Sequence, residues 1–254
     1  MSYLPSASVL QFLRLDADLA AADRILAVGN PTLDLKAAEA EAAFVASLFG
    51  QTALLGKEAT EEAVRERIPD CPLLHFATHG KLSEAAPLSS AMALAHGEAF
   101  TVYELIGLRL NAELVVLSAC NTGQGETTRG DDVLGLTRGL LGAGARAAVV
   151  SLWPVDDVST SLLMGEFYRR LRAGDAPAFA LREAQLYLRD LEPANVASEL
   201  DKLKASLERA NAPLSTLLSV AEERLVRHAR PVGDGPTPNY YRHPYYWAPF
   251  ILVG

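Results

Sequence analysis

Cysteine is scarce in this chain: two in 254 residues, Cys71 and Cys120, with no Cys-x-x-Cys pair. That excludes a disulfide framework and points to free thiols in a reducing compartment, so a cytoplasmic location is expected. No apolar run approaches the length of a bilayer span, and the opening "MSYLPSASVLQFLRLDADLA" has no charged region ahead of its apolar residues, so neither a leader nor a membrane anchor is expected. Basic residues are outnumbered 23 to 31, for a net charge of −8, and no basic run occurs. Nucleic acid and anionic membranes are therefore poor partners, and cationic ones fit better. Repeats at solenoid periods are absent as well.

What remains is an ordinary globular composition, half apolar, long enough to bury the core of one α/β domain or of a domain with an appendage. "DRILAVGNP" (23–31) reads as a strand closed by turn residues, and "KAAEAEAAFVASLFG" (36–50) as an Ala-rich helix ending at Gly50. "TALLG" predicts a short strand, "ATEEAVRERI" a helix capped by Thr60, and "CPLLHFATHG" a strand stopping at Gly80. The stretch 81–100 is turn-rich, with one hairpin strand expected around Met92 to Ala95 and a short helix near "VYELIGL". The strand leading to Cys120, the helix "DDVLGLTRGLLGAG", the strand "ARAAVVSLW" and the helix "DDVSTSLLMGEFYRRLRAG" restore the alternation. Such alternation implies an α/β fold in three layers, α/β/α, around a mostly parallel sheet. Residues 178–230 read as two or three surface helices broken near Pro193 and Pro213, and "YYWAPFILVG" as a final aromatic-rich strand.

"LLHFATHG" (73–80) and "LVVLSACNTGQGE" (114–126) are apolar strands that each end in a polar residue at a glycine-containing loop. In a parallel sheet their C-terminal ends share one edge, where open α/β sheets keep their chemistry, so His79 and Cys120 can meet there. Imidazole beside thiol is the arrangement that generates a nucleophilic thiolate: Cys120 attacks, and His79 serves as base and then as acid for the leaving amine. The backbone N–H groups of Gly80 and Cys120 would hold the oxyanion. A lone cysteine at a strand end is more often a small buried hydrophobe than a nucleophile, and the partner histidine is what tips the balance. Cys71, before a proline at a strand start on the opposite edge, is read as structural.

Other constellations fail on spacing. His75 and His79 lie about 13 Å apart along a strand, too far for one metal ion, so no metal is expected and His75 reads as a core histidine with a hydrogen-bonded ring. "GQTALLGKE" (50–58) has five residues between its glycines and Glu58 where a phosphate loop needs a hydroxyl. "GLLGAGAR" (139–146) sits after a helix, and no G-x-S-x-G elbow occurs. Asp131 with Asp132, and Asp156 with Asp157, stand at helix starts, where capping is the simplest role. The second pair also emerges on the Cys120 edge and is a candidate pocket for a basic substrate side chain.

"HFATHG", "LSACNTG", "GLTRGLLGAGARAAVVSLWPVDD" and "HPYYWAPFILVG", in this order and with "SYLPSASVL" at the start, resemble the CHAT domain. This is a caspase-like and separase-like cysteine peptidase family found mainly in bacteria, often attached to tetratricopeptide repeats. The resemblance spans nearly the whole chain. It implies the caspase-hemoglobinase fold, His79 and Cys120 as a catalytic dyad, and hydrolysis of peptide bonds in a protein substrate without metal or cofactor. Residues 1–254 are then one peptidase domain, with 190–239 a helical and loop insertion before the last strand. Family members usually carry more chain, including sheet strands, ahead of "SYLPSASVL", so this chain is expected to lack N-terminal strands. "SACNTG" stands where caspases carry Q-A-C-x-G, so aspartate specificity does not carry over.

The expected function is a cysteine endopeptidase cutting after basic residues, with Asp156 and Asp157 binding the substrate. One alternative is a partner-activated or non-catalytic scaffold, with a tetratricopeptide-repeat domain or an activating protein as partner and 81–100 as the responsive loop. A Cys-dependent acyltransferase would use the same dyad.

Overall fold

The apolar runs of the sequence become strands buried along their whole length. The computed structural model describes residues 2–3, 19, 22–81, 83, 86–108, 110–118, 130–209 and 239–254. In chain order the strands are β1 (Ser2–Tyr3), β2 (Ile25–Gly29), β3 (Leu54–Leu55), β4 (Leu73–Ala77), β5 (Gly80–Lys81), β6 (Ala91–Ala93), β7 (Ala99–Thr101), β8 (Leu114–Leu117), β9 (Ala148–Ser151) and β10 (Phe250–Val253). The helices are α1 (Lys36–Ser47), α2 (Glu61–Arg67), α3 (Val102–Leu108), α4 (Gly130–Gly142), α5 (Asp157–Arg172), α6 (Pro177–Asp190), α7 (Pro193–Arg209) and α8 (Pro244–Trp247).

Seven strands form the main sheet in the order β1-β10-β9-β8-β4-β2-β3. The pairs from β9 to β3 are all parallel, whereas β10 runs antiparallel to β9. Every residue of β2, β4, β8, β9 and β10 is buried, as a sheet covered on both faces requires. Leu26, Val28, Leu74, Phe76, Val115 and Val150 point to one face and pack with Val64, Leu105, Leu136 and Leu140 of α2, α3 and α4. Ile25, Leu73, Val116 and Val149 point to the other, with Val45, Leu163, Phe167, Tyr168 and Leu181 of α1, α5 and α6. The result is the expected three-layer α/β/α fold with a mostly parallel sheet.

Local chemistry sets the element ends. Thr60 Oγ1 accepts from Ala63 N (3.2 Å) and caps α2. After α1 the chain turns at Gly50, φ +64°, with Gln51 N bonded to Ala46 O (3.0 Å).

The sequence reading differs from the structure in three places. β4 ends at Ala77 rather than at Gly80, because Thr78 Oγ1 donates to Ala93 O (2.8 Å) and draws the chain into a second sheet. That sheet, β5-β6-β7, fills the segment expected to hold one hairpin strand. Its turn is His96-Gly97, both at positive φ, with Glu98 N donating to Ala95 O (3.1 Å): a hairpin turn of the mirror-image type. The aromatic run before the last strand is the short helix α8, with Pro244 in its first turn and His243 Nδ1 accepting from Tyr245 N (3.2 Å). α7 is one of the expected surface helices, with Val196, Leu200 and Leu203 as its buried face. The break between α6 and α7 falls at Pro193 as expected, while Pro213 lies outside the described residues.

Candidate functional site

Parallel pairing brings the C-terminal ends of β2, β4 and β8 to one edge as immediate neighbours. Gly29 lies opposite Ala77, Phe76 opposite Leu117, and Ser118 N donates to Phe76 O (3.0 Å). His79 leaves the middle strand of the three. Cys120 follows β8 by three residues and lies outside the described residues.

The His79 side chain is 25% exposed, and its Nε2 lies 2.9 Å from Asp34 Oδ2 and 3.0 Å from Oδ1. Thr32 Oγ1 donates to Asp34 Oδ1. The Thr32 hydroxyl is the main cause that holds the Asp34 carboxyl below its usual value; burial pushes the other way, and the hydrogen bond and charge of His79 add to the lowering. Asp34 sits in the loop from β2 to α1, which is anchored by Asn30. Asn30 is buried, its N–H donates to Ala77 O (3.1 Å), its Nδ2 donates to Glu39 Oε2 (2.9 Å) and its Oδ1 accepts from Leu35 N (2.7 Å). The sequence reading passed over Asp34. "GNPTLD" reads as turn punctuation, yet the edge argument that paired His79 with Cys120 applies to it equally, since β2 ends at the same edge.

Gly80 lies opposite Met92 in the antiparallel pair β5-β6, while Ala93 N donates to His79 O (2.8 Å). The bonds therefore flank the Gly80–Met92 pair, and the Gly80 N–H faces away from β6. A Cβ at Gly80 would meet nothing within 4 Å, so the space beside it is open. The other expected oxyanion donor, the Cys120 N–H, lies outside the described residues.

Asp156 Oδ1 accepts from Ser159 N (3.0 Å) and caps α5. Asp157 is the first residue of α5, and its side chain is outside the described residues, as are those of Asp131 and Asp132 in α4. Both pairs stand at helix starts.

His75 faces the core, fully buried, with Nδ1 3.1 Å from Tyr168 Oη. Its Nε2 is 3.1 Å from Glu41 Oε1. The two atoms are close, but the geometry is not that of a hydrogen bond. Burial, and then the Glu41 charge, push the Tyr168 hydroxyl well above its usual value. Cys71 is buried with a free thiol, which burial pushes up. Among the described residues no group of three His, Cys, Asp or Glu side chains is placed to hold a metal ion, and no helix is long and apolar enough to cross a membrane.

Tetratricopeptide repeat protein 28 of Mus musculus is 28% identical over 259 residues, and its Homo sapiens counterpart 29%. Each match covers 82% of this chain but 10% of the relative, so the chain spans about a tenth of the length of the curated proteins it matches. A sequence profile of the CHAT domain, a caspase-like family, matches residues 1–254 from end to end, and the chain belongs to that family.

Proposed function

We propose that this chain is a cysteine endopeptidase in which His79 activates Cys120. The observation that carries the reading is His79 itself: a partly exposed imidazole at the C-terminal mouth of β4, its Nε2 held by a carboxylate, beside the strand that leads to Cys120. His79 takes the thiol proton, and the thiolate sulfur adds to the scissile carbonyl carbon. The displaced electron pair moves onto the carbonyl oxygen, where the N–H groups of Gly80 and Cys120 donate to it. Collapse breaks the C–N bond as His79 returns the proton to the departing amine. Water then loses a proton to His79 and attacks the thioester, which frees the acid and restores the thiol.

Cleavage after basic residues is the specificity this reading carries. It is supported by the net charge of −8 and by the acidic pair Asp156 and Asp157 on the helix after β9. Asp156 already serves as a helix cap, so Asp157 is the stronger candidate to meet an Arg or Lys side chain. Arg and Lys peptides cut no faster than Leu or Asp peptides would remove the specificity. A cytoplasmic setting fits the two cysteines, one of them a buried free thiol.

The test is covalent labelling with a peptidyl electrophile carrying Arg at the specificity position, mapped by mass spectrometry with Cys71 as internal control. Label on Cys120 alone, lost in His79→Ala, is expected. Equal labelling of Cys120 with and without His79 overturns the peptidase.

The second reading is a domain that acts only with a partner. Two matched relatives are named for tetratricopeptide repeats and are about ten times longer than the matched region. Labelling that appears only when the chain is joined to such a repeat domain would favour it.

A further inference from the structure

We propose that Asp34 is the positioning residue of His79, and that the loop from β2 to α1 is built to present it. The inference rests on the reading of His79 and Cys120 as a working pair. The sheet order β8-β4-β2 sets the His79 strand between two neighbours, one leading to Cys120 and the other to Asp34. Both Asp34 oxygens lie within 3.0 Å of Nε2. An ionised carboxylate only accepts, so Nε2 carries a proton, and Nδ1 is the nitrogen left to take the proton of the thiol. Once Nδ1 is protonated, the same carboxylate stabilises the imidazolium, and with it the thiolate.

Asp34 is 62% exposed, and an ion pair between exposed side chains is ordinarily worth little because water and side-chain entropy compete with it. This pair is held differently. Asn30, 2% exposed, sits at φ +52° with its side chain bonded at both ends, and Leu33 sits at φ +68°. The left-handed region is unfavourable for a leucine because its Cβ crowds the following carbonyl oxygen, and Leu33 is 50% exposed, so core packing does not account for the strain. Non-glycine residues kept in such conformations gather at functional sites. Here the two bends turn the chain so that Asp34 meets His79, and the Thr32 hydroxyl locks one carboxylate oxygen. The same carboxylate also precedes α1, where a negative charge favours the helix, so the test must separate the two roles.

The experiment follows alkylation of Cys120 by iodoacetamide in the full chain between pH 5 and 9, read by peptide mass spectrometry, with buried Cys71 and thermal melting as folding controls. In the unsubstituted protein the acid limb of the Cys120 profile should lie below that of an ordinary thiol, and His79→Ala should abolish the difference. Asp34→Asn should move the limb to higher pH, slowing alkylation roughly tenfold near pH 6 with little change near pH 9. Turnover should fall ten- to hundredfold on the scale of a general base that has lost its orienting group. Thr32→Val should shift the limb in the same direction by less, which keeps the test alive if the Asp34 variant folds poorly. A profile that depends on His79 but is identical in Asp34→Asn, Thr32→Val and the parent overturns the role of Asp34 and leaves the His79–Cys120 pair standing. A Cys120 that reacts as an ordinary thiol with or without His79 overturns both.

Discussion

Two histidines four residues apart on one segment have opposite fates, and their surroundings explain both. His75 is enclosed between α1 and α5 with Glu41 and Tyr168, whereas His79 stands past the strand end in contact with solvent. Tyr168→Phe keeps the ring and removes the hydroxyl that faces His75 Nδ1, leaving a buried nitrogen without its partner. A loss of about 1–3 kcal/mol in unfolding free energy is expected in urea titrations. Glu104 offers a second test. Its Oε2 accepts from Thr101 N (2.8 Å) and Thr101 Oγ1 (2.6 Å), and Thr101 Oγ1 accepts from Glu104 N (3.2 Å), which is a capping box on α3. The Thr101 hydroxyl, its N–H and then Arg65 hold the Glu104 carboxyl below its usual 4.5. A depressed folded value stabilises the fold above the unfolded pKa and ceases to do so as pH falls through the folded one. Glu104→Ala should therefore cost about 1 kcal/mol at pH 7 in thermal denaturation, and the gap to the parent should narrow as pH falls below 4.5 and through the lower folded value.

Among elements, α1 is the one that ties packing to the candidate site. Its alanines let it lie close on β2: a Cβ placed on Gly29 would come within 2.7 Å of Ala42 Cβ and 2.8 Å of Ala38 O. Gly29→Ala must push α1 away. It should destabilise by about 1–3 kcal/mol and, because the Asp34 loop bridges the two elements, should also slow Cys120 labelling. Normal labelling at reduced stability would show that the loop is held by Asn30 alone. α7 covers α1 from outside, and Leu203→Ala should cost about 2–4 kcal/mol in the same assay. The elements most legible in the sequence are the long ones. The apolar runs of β2, β8 and β9 and the helical stretches of α1, α2, α4, α5 and α6 stand where composition places them, with side-chain caps at α2 and α5. β5, β6 and β7 were not separable, being two or three residues each, too short for a period. The aromatic run ahead of β10 was misread because β-propensity outweighed the helix-start signal of Pro244.

For the molecule as a whole, charge is the property that reaches beyond contacts. A net charge of −8 favours the approach of cationic over anionic ligands, over a distance set by ionic strength. On the peptidase reading proposed above, raising salt from about 0.05 M to about 0.5 M should lower kcat/KM for Arg- and Lys-containing peptides several-fold while leaving kcat unchanged. The same titration should raise kcat/KM for an acidic peptide. Steady-state kinetics on matched peptides would check both, and a flat response for the two would remove charge as a source of preference.

The sequence by itself determined the long strands and helices of the main sheet and its two faces, that the sheet is mostly parallel, and that the strands before His79 and Cys120 run toward a common edge. Those properties are local or follow from chain direction, and periodicity, turn residues and alternation record them directly. Only the tertiary structure decided that β4 lies between β8 and β2, that β10 runs against its neighbour, and that Asp34 reaches the far nitrogen of His79. Strand order depends on how helices share the two faces. The contact between Asp34 and His79 depends on two residues at positive φ and on one buried asparagine side chain. Neither leaves a periodic mark in the chain, because each arises from residues that meet only after the sheet has formed.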